Sequence, residues 1–114
     1  MKTLIILNDP PYGTERSFNG LRLAKALCAK QEDVVVFLMA DAVSCARKGQ
    51  KVPQGFYNLE LMLNAVIRQG KVLLCGTCMD ARGLTDEDVI AGAKRSTMQE
   101  LAEVTIAADK LLVF

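Results

Sequence analysis

The stretch Lys71-Val-Leu-Leu-Cys75-Gly-Thr-Cys78-Met-Asp-Ala-Arg-Gly83 decides the fold that this sequence predicts. Its first half, Lys71–Cys75, is short and apolar, which is typical of a buried strand. Its second half has the composition of one or two helical turns, which Gly83 ends. A strand that runs directly into a helix is the repeating step of α/β proteins, and such proteins place their chemistry at the carboxyl ends of strands.

The rest of the chain repeats this alternation of strand and helix. Apolar runs predict strands at 2–7, 33–39 and 110–114, and a short strand at 93–95 is weakly indicated. The pattern favours a parallel sheet covered by helices on both faces. Two long helices are predicted at 15–30 and 56–69, and Asp41 is predicted to cap a short helix that runs to about 48. The capping box Thr85–Asp88 predicts a helix to about 93. Ser96 is predicted to open the last helix, whose inward side chains would be Met98, Leu101, Ala102 and Thr105.

Composition limits the classes of protein to which this chain can belong. Its 114 residues predict a single domain spanning 1–114, and 51% hydrophobic residues favour a folded core. The 14 basic residues nearly balance the 13 acidic ones, so we expect no general nucleic-acid surface. No apolar run approaches the roughly 20 residues that a membrane span needs, so we expect no membrane partner. The apolar start is read as a first strand and not as a signal peptide.

The four cysteines and the absence of histidine limit the chemistry. Without a signal peptide, and with ample apolar residues for a core, we expect an intracellular protein of the cytoplasm whose thiols are reduced. A closed zinc site needs four ligands, and only the pair Cys75 and Cys78 has suitable spacing, so neither a metal nor another cofactor is expected. Cys28 and Cys45 are interpreted as packing residues. Hydrolases that use histidine with serine or cysteine are excluded.

The pair Cys75 and Cys78 is the strongest candidate for a reactive site. Cys75 is predicted at the helix cap and Cys78 one turn later, on the same face of the helix. The amino terminus of a helix favours the thiolate, and we expect Arg82 to add to that effect. Asp80 and Arg82 flank the thiols, and a solvated helix surface is the alternative role for both. Simple packing where strand meets helix is the alternative for the two cysteines.

A second candidate region is the loop Asn8-Asp-Pro-Pro-Tyr-Gly13, which follows the first strand. Because parallel strands end at one edge of the sheet, this loop is expected on the same side as Cys75. Asn8 and Tyr12 are the residues expected to line a pocket, and an ordinary rigid turn is the alternative. The loop has neither the P-loop nor the GxGxxG pattern. Cys-Gly-Thr-Cys resembles the active-site sequence of thioredoxin-like proteins, but here only the chemistry carries over.

Several segments together give the chain a resemblance to the DsrE/DsrF-like sulfur-relay family, and within it to the YchN-like branch. The resemblance rests on residues 8–18, 37–43, 49–50, 75–83 and 108–114. It implies a three-layer α/β/α domain with a mainly parallel five-stranded sheet, and a cytoplasmic homo-oligomer of trimers or hexamers. It also implies that Cys75, eight residues before Gly83, matches the persulfide-carrying cysteine of relay members. Cys78 matches the second cysteine of the YchN-like branch.

The leading hypothesis is therefore a sulfurtransferase-like carrier that holds sulfur as a persulfide on Cys75 and releases it through Cys78. Its partners would be further copies of the chain, a sulfur donor protein and a sulfur acceptor protein. Two alternatives stay open at this point. One is a dithiol redox switch formed by the same two cysteines, and the other is a non-catalytic oligomeric binding module in which the cysteines only pack.

Overall fold

Five parallel strands form the centre of the protein in the computed structural model, which describes residues 1–114. The sheet has the order β4-β3-β2-β1-β5, and every neighbouring pair is parallel. The α/β fold with a five-stranded sheet is thus confirmed, and the weakly indicated fourth strand is present at one edge. The strands are β1 Lys2–Leu7, β2 Asp33–Leu38, β3 Lys71–Cys75, β4 Ala93–Ser96 and β5 Lys110–Val113.

Helices cover both faces of the sheet because the chain adds strands toward one edge and then crosses back to the other edge. The connections from β1 through β4 all move toward one edge, and right-handed crossovers therefore put their helices on one face. The connection from β4 to β5 moves the opposite way, so its helix covers the other face. The helices are α1 Arg16–Ala29, α2 Leu59–Ile67, α3 Gly76–Ala81 and α4 Met98–Ala107, with 3₁₀ turns at Ala40–Ala46 and Asp86–Asp88. None of these helices has the length and apolarity that crossing a bilayer requires.

The core lies on both sides of β2, the central strand. Five of its six residues are buried, and only Asp33 at its start is exposed. Gly20 of α1 packs so closely on the sheet that a Cβ there would stand 2.4 Å from Cδ2 of Leu7. This close approach explains why glycine occupies a helix interior, where it ordinarily weakens the helix.

Two predicted helices are shorter in the structure than the sequence indicates. Helix α2 begins at Leu59 and not at 56, because the Asn58 side chain caps it by accepting the N–H of Leu61 at 3.2 Å. The capping box of Thr85 and Asp88 is present, but only one 3₁₀ turn follows it. The prediction of a helix to 93 is wrong because the chain is extended at Val89, which bridges to Arg47 in an antiparallel manner.

The predicted helix starts at Asp41 and Ser96 are also wrong in detail. Met39 occupies the N-cap of the 3₁₀ turn, and Asp41 lies within its first turn. Thr97 caps α4 by accepting the N–H of Glu100 at 3.1 Å, whereas Ser96 ends β4. Of the four side chains predicted inward on α4, only Leu101 is buried. The other three are exposed because a single helix covers that face of the sheet and buries only one stripe.

Candidate functional site

Cys75 stands at the carboxyl edge of the sheet, level with the start of the loop after β1. The register pairs Leu7 with Leu38 and Leu38 with Leu74, so the next residues along these strands reach the same height. β2 lies between β1 and β3, which separates Asn8 and Cys75 by two strand spacings, or about 10 Å. Both predicted regions therefore lie at one edge of the sheet, but their backbones are not in direct contact.

The two cysteines occupy the junction between β3 and α3. Cys75 is the last residue of the strand and the N-cap of the helix, with the extended backbone angles φ −62° and ψ 112°. Its thiol is largely buried, with 9% of the residue exposed, whereas Cys78 one turn later is partly exposed. All four cysteines of the chain are free thiols. The pair is thus placed for thiol chemistry at a partly open surface.

Burial raises the pKa of the Cys75 thiol above its ordinary value. The backbone amides of Thr77 and Cys78 act in the opposite direction without forming a capping hydrogen bond to the thiol, and the neighbouring Cys78 thiol raises the pKa further. Burial therefore opposes the effect expected of the helix terminus on this thiol. Loss of hydration is the largest of the contributions to this pKa.

Arg82 is engaged by a carboxylate from another segment. Its Nη2 lies 2.9 Å from Oδ1 of Asp41, and its Nη1 donates to the carbonyl oxygen of Cys78 at 3.1 Å. Arg82 therefore fastens the end of α3 to the 3₁₀ turn Ala40–Ala46. Asp80 is likewise occupied, because its Oδ2 accepts from Nη2 of Arg95 at 2.6 Å. Both flanking charges thus hold α3 in place.

Arg95 is a neighbour of the cysteines that the sequence analysis missed. It lies on β4 beside Leu74, and a Cβ built on Gly76 would stand 3.0 Å from its Nε. The pKa of Arg95 is raised, chiefly by the hydrogen bond to Asp80 and to a smaller extent by the nearby acidic groups Asp80, Asp86 and Cys75. Arg95 therefore places a cation next to Gly76, the residue that follows Cys75. Only the pairing of β3 with β4 brings the two together, and no sequence spacing indicates it.

Asn8 and Tyr12 are placed apart from the thiols. The Asn8 amide donates to the carbonyl oxygen of Phe114 at 3.2 Å, which ties the loop to the end of the chain. The Tyr12 hydroxyl donates to Oε1 of Gln50 and accepts the N–H of Leu59 at 3.1 Å. Tyr12 lines a separate surface cavity that shares no residue with the cysteine pair.

The two remaining cysteines are internal. Cys28 lies on α1 and is buried in the core, and Cys45 is fully buried, with its Sγ 3.7 Å from the carbonyl oxygen of Asp9. Burial raises the pKa of Cys45 to about 12, which leaves it protonated at neutral pH. These two thiols are therefore poor nucleophiles in the folded protein.

Comparison with known proteins places this chain in a family. The model of the DsrE/DsrF-like family matches residues 1–114. Protein YchN of Escherichia coli is 44% identical over 116 residues, covering 99% of this chain and 98% of YchN. The crystal structure of YchN superposes with a TM-score of 0.95, covering 100% of this chain and 99% of that one. The chain therefore belongs to the DsrE/DsrF-like family.

Two further relatives extend the comparison. An uncharacterised protein of Methanocaldococcus jannaschii is 37% identical over 114 residues, which is the full length of both chains. A protein of Vibrio parahaemolyticus described as a TusC homolog is 26% identical over 113 residues, covering 96% of this chain and 95% of its own. The similarity thus spans the whole fold in each case.

Replacing Arg95 with glutamine is expected to raise the pKa of Cys75 further. The variant removes a cation next to Gly76 and leaves the Asp80 carboxylate without its partner, and both changes disfavour a negative charge on the neighbouring Cys75. The measurement is the rate of iodoacetamide alkylation of Cys75 against pH, followed by peptide mapping in a Cys78→Ser background. The inflection should move to higher pH in Arg95→Gln. Arg82→Gln is the matched control, and a larger shift in that variant would assign the role to Arg82 instead.

Proposed function

We propose that this protein carries sulfane sulfur as a persulfide on Cys75. The observation that supports this most directly is the pair of free thiols at the end of β3, with Arg95 beside them, in a chain of the DsrE/DsrF-like family. A persulfide is more acidic than a thiol, so the charge that burial disfavours on Cys75 becomes easier to form once sulfur is loaded. Arg95 and the free amides of α3 would then stabilise the persulfide anion.

Loading is an exchange of one S–S bond for another. The Cys75 thiolate attacks the outer sulfur of a donor persulfide, and a new S–S bond forms while the S–S bond of the donor breaks. The product on the protein is the persulfide anion of Cys75, and the donor leaves as a thiol that retains the proton. The transferred sulfur keeps its oxidation state, so this step needs no oxidant.

Cys78 provides a route for release. Its thiolate attacks the inner sulfur of the protonated Cys75 persulfide, a disulfide forms between the two cysteines while the S–S bond of the persulfide breaks, and the outer sulfur leaves with its proton as hydrosulfide. The two protein sulfurs are oxidised while the released sulfur is reduced, so electrons balance. A cellular dithiol would then reduce the disulfide, which is consistent with a cytoplasmic setting. Transfer to an acceptor protein would instead proceed by attack of its thiolate on the outer sulfur.

The experiment that tests this function is intact mass spectrometry with peptide mapping of the reduced wild-type protein. One sample is exposed to a low-molecular-weight persulfide donor and another to a mild oxidant. A gain of one sulfur atom on Cys75 would support the carrier function. A loss of two hydrogens across Cys75 and Cys78, with no sulfur gain in the first sample, would favour a dithiol redox switch. That second candidate rests on the proximity of the two thiols.

We also propose that the chain assembles with further copies of itself. Strand β5 is an edge of the sheet whose four residues are all exposed, and three of them are Leu111, Leu112 and Val113. Ile106 at the end of α4 is 86% exposed nearby in the chain. An exposed apolar edge strand is a common site of protein association, because its unpaired backbone groups and apolar side chains both gain from coverage.

Val113→Lys is expected to dissociate this assembly. Val113 is 61% exposed on the edge strand, and a lysine there would place an ammonium group within the contact. Sedimentation equilibrium should give a multiple of 12.4 kDa for the wild type and the single-chain mass for the variant. Leu61→Lys is the matched control, since Leu61 is 64% exposed and lies on α2, which covers the face of the sheet opposite to α4. A single-chain mass for the wild type would contradict the proposal.

A further inference from the structure

A surface cavity of about 410 Å³ lies between the loop after β1 and the segment that leads into α2. Its volume falls in the range of small-molecule sites, about 300–1,000 Å³. It contains none of Cys75, Cys78 and Arg95, so it is independent of the function proposed above. The cavity is lined by Tyr12, Lys51, Val52, Pro53, Phe56 and Tyr57.

The stacked rings of Tyr12 and Tyr57 form one wall of this cavity, and Phe18 packs on Tyr57 from outside the lining. The rings of Tyr12 and Tyr57 are 5.9 Å apart at an angle of 24°, and the rings of Phe18 and Tyr57 are 4.0 Å apart at 17°. Phe56, which also lines the cavity, is 70% exposed. Flat aromatic surfaces that are already arranged suit a flat apolar partner, which would remove Phe56 from water.

Hydrogen bonds within the chain hold Tyr12 in position at this cavity. The Tyr12 hydroxyl bonds to the Gln50 side chain and to the N–H of Leu59. The Gln50 amide nitrogen in turn donates to the carbonyl oxygens of Cys45 and Arg47, at 2.8 and 2.9 Å. Burial raises the pKa of Tyr12, so its hydroxyl stays protonated and neutral. The tyrosine thus offers a ligand its ring, because its hydroxyl is already occupied.

Lys51 is the charged residue in the lining. The three ion pairs of the structure use Arg16, Arg82 and Arg95 as cations, so the Lys51 ammonium group has no carboxylate within ion-pair distance. With the Tyr12 hydroxyl occupied, this ammonium group and the Tyr57 hydroxyl are the side-chain donors left in the lining, and only the ammonium group is charged. A cation at the rim of an aromatic cavity favours a ligand with one anionic group and a flat apolar body.

We propose that this cavity binds a small aromatic anion, such as a carboxylate or sulfonate, with its ring against Tyr12, Phe56 and Tyr57 and its negative group on Lys51. The pairing with Lys51 takes place near solvent, so it orients the ligand and adds modestly to affinity. The contact with the rings supplies most of the affinity. The ligand site therefore stands on a different part of the carboxyl edge from the sulfur chemistry.

The test is a fluorescence titration of the intact protein with anilinonaphthalene sulfonate, an aromatic anion, and with the uncharged phenylnaphthylamine. The wild type should bind the sulfonate saturably at one site per chain. Phe56→Ala should weaken binding about tenfold or more by removing an aromatic wall. Lys51→Gln should weaken it about two- to fivefold, which corresponds to an exposed ion pair, and should leave the uncharged probe unaffected.

Met98→Ala is the matched control, because it removes an exposed apolar side chain outside the cavity. Circular dichroism of each variant checks that the fold is retained, and Cys75→Ser should bind the probe as the wild type does. The proposal would be overturned by unchanged affinity in both cavity variants, by an equal loss in Met98→Ala, or by no saturable binding to the assembled wild type. The last result would indicate that another copy of the chain covers the cavity.

Discussion

Cys75→Ser is expected to abolish sulfur loading, from one atom per chain in the wild type to background. A serine hydroxyl cannot form a persulfide, and the two buried thiols do not substitute for it. Cys45 is fully buried with a pKa of about 12, and Cys28 is buried in the core. The measurement is intact mass after exposure to a persulfide donor, followed by mapping of the modified peptide.

Cys78→Ser is the informative partner of that variant. It should load sulfur as the wild type does, but it should retain the sulfur longer because the internal disulfide cannot form. Cys28→Ser controls for the general effect of removing a thiol. If Cys75→Ser loaded a full sulfur atom and Cys78→Ser loaded none, the assignment would have to be exchanged between the two cysteines. Equal loading in all variants would contradict the carrier function at this site.

Met79→Ala is expected to lower the free energy of unfolding by about 2–5 kcal/mol, the usual cost of truncating a fully buried methionine. Met79 lies on α3 between the cysteine pair and Asp80, and none of its surface is exposed. Its carbonyl oxygen also accepts the N–H of Leu84 at 2.9 Å, where the chain turns after the helix. The loss is a large share of the roughly 5–15 kcal/mol that stabilises a typical domain. Urea unfolding followed by circular dichroism measures it.

Met98→Ala is the matched control for this prediction, because Met98 is 59% exposed and the same atoms are removed. Its effect should stay within about 0.5 kcal/mol, as for most surface substitutions. Met79→Leu, which nearly conserves volume, should lose less than about 1.5 kcal/mol. A similar loss in Met79→Ala and Met98→Ala would show that the Met79 side chain is not part of the cooperative core.

The sheet was predictable from the sequence because each central strand is a short apolar run. β2 and β3 are bounded by charged or turn-forming residues. Because both faces of these strands are buried, their sequences are continuously apolar and do not alternate with polar residues. Helix boundaries were less predictable, because tertiary pairing decides them. The capping box at Thr85 is real, yet the bridge between Arg47 and Val89 ends the helix after one turn. Such a long-range contact has no local signature.

The two cysteines of the candidate site could be predicted from the sequence, whereas the charged side chain that lies near them could not. The placement of Cys75 and Cys78 followed from a strand that runs into a helix. The choice of Arg82 as the nearby cation followed from its closeness in sequence, whereas strand pairing places Arg95 across Gly76. The raised pKa of Cys75 depends on how much solvent the neighbouring elements exclude, which only the folded arrangement determines.

Helix α3 is too short to be stable by itself, since isolated helices below about 12 residues are marginal in water. The buried side chain of Met79 packs the helix against the core. Two exposed ion pairs, Arg82 with Asp41 and Arg95 with Asp80, connect it to the 3₁₀ turn Ala40–Ala46 and to β4. Exposed ion pairs weaken as ionic strength rises. Raising the ionic strength is therefore expected to loosen the attachment of the segment that carries the thiols, so that Cys75 meets solvent more often while the sheet behind it stays folded.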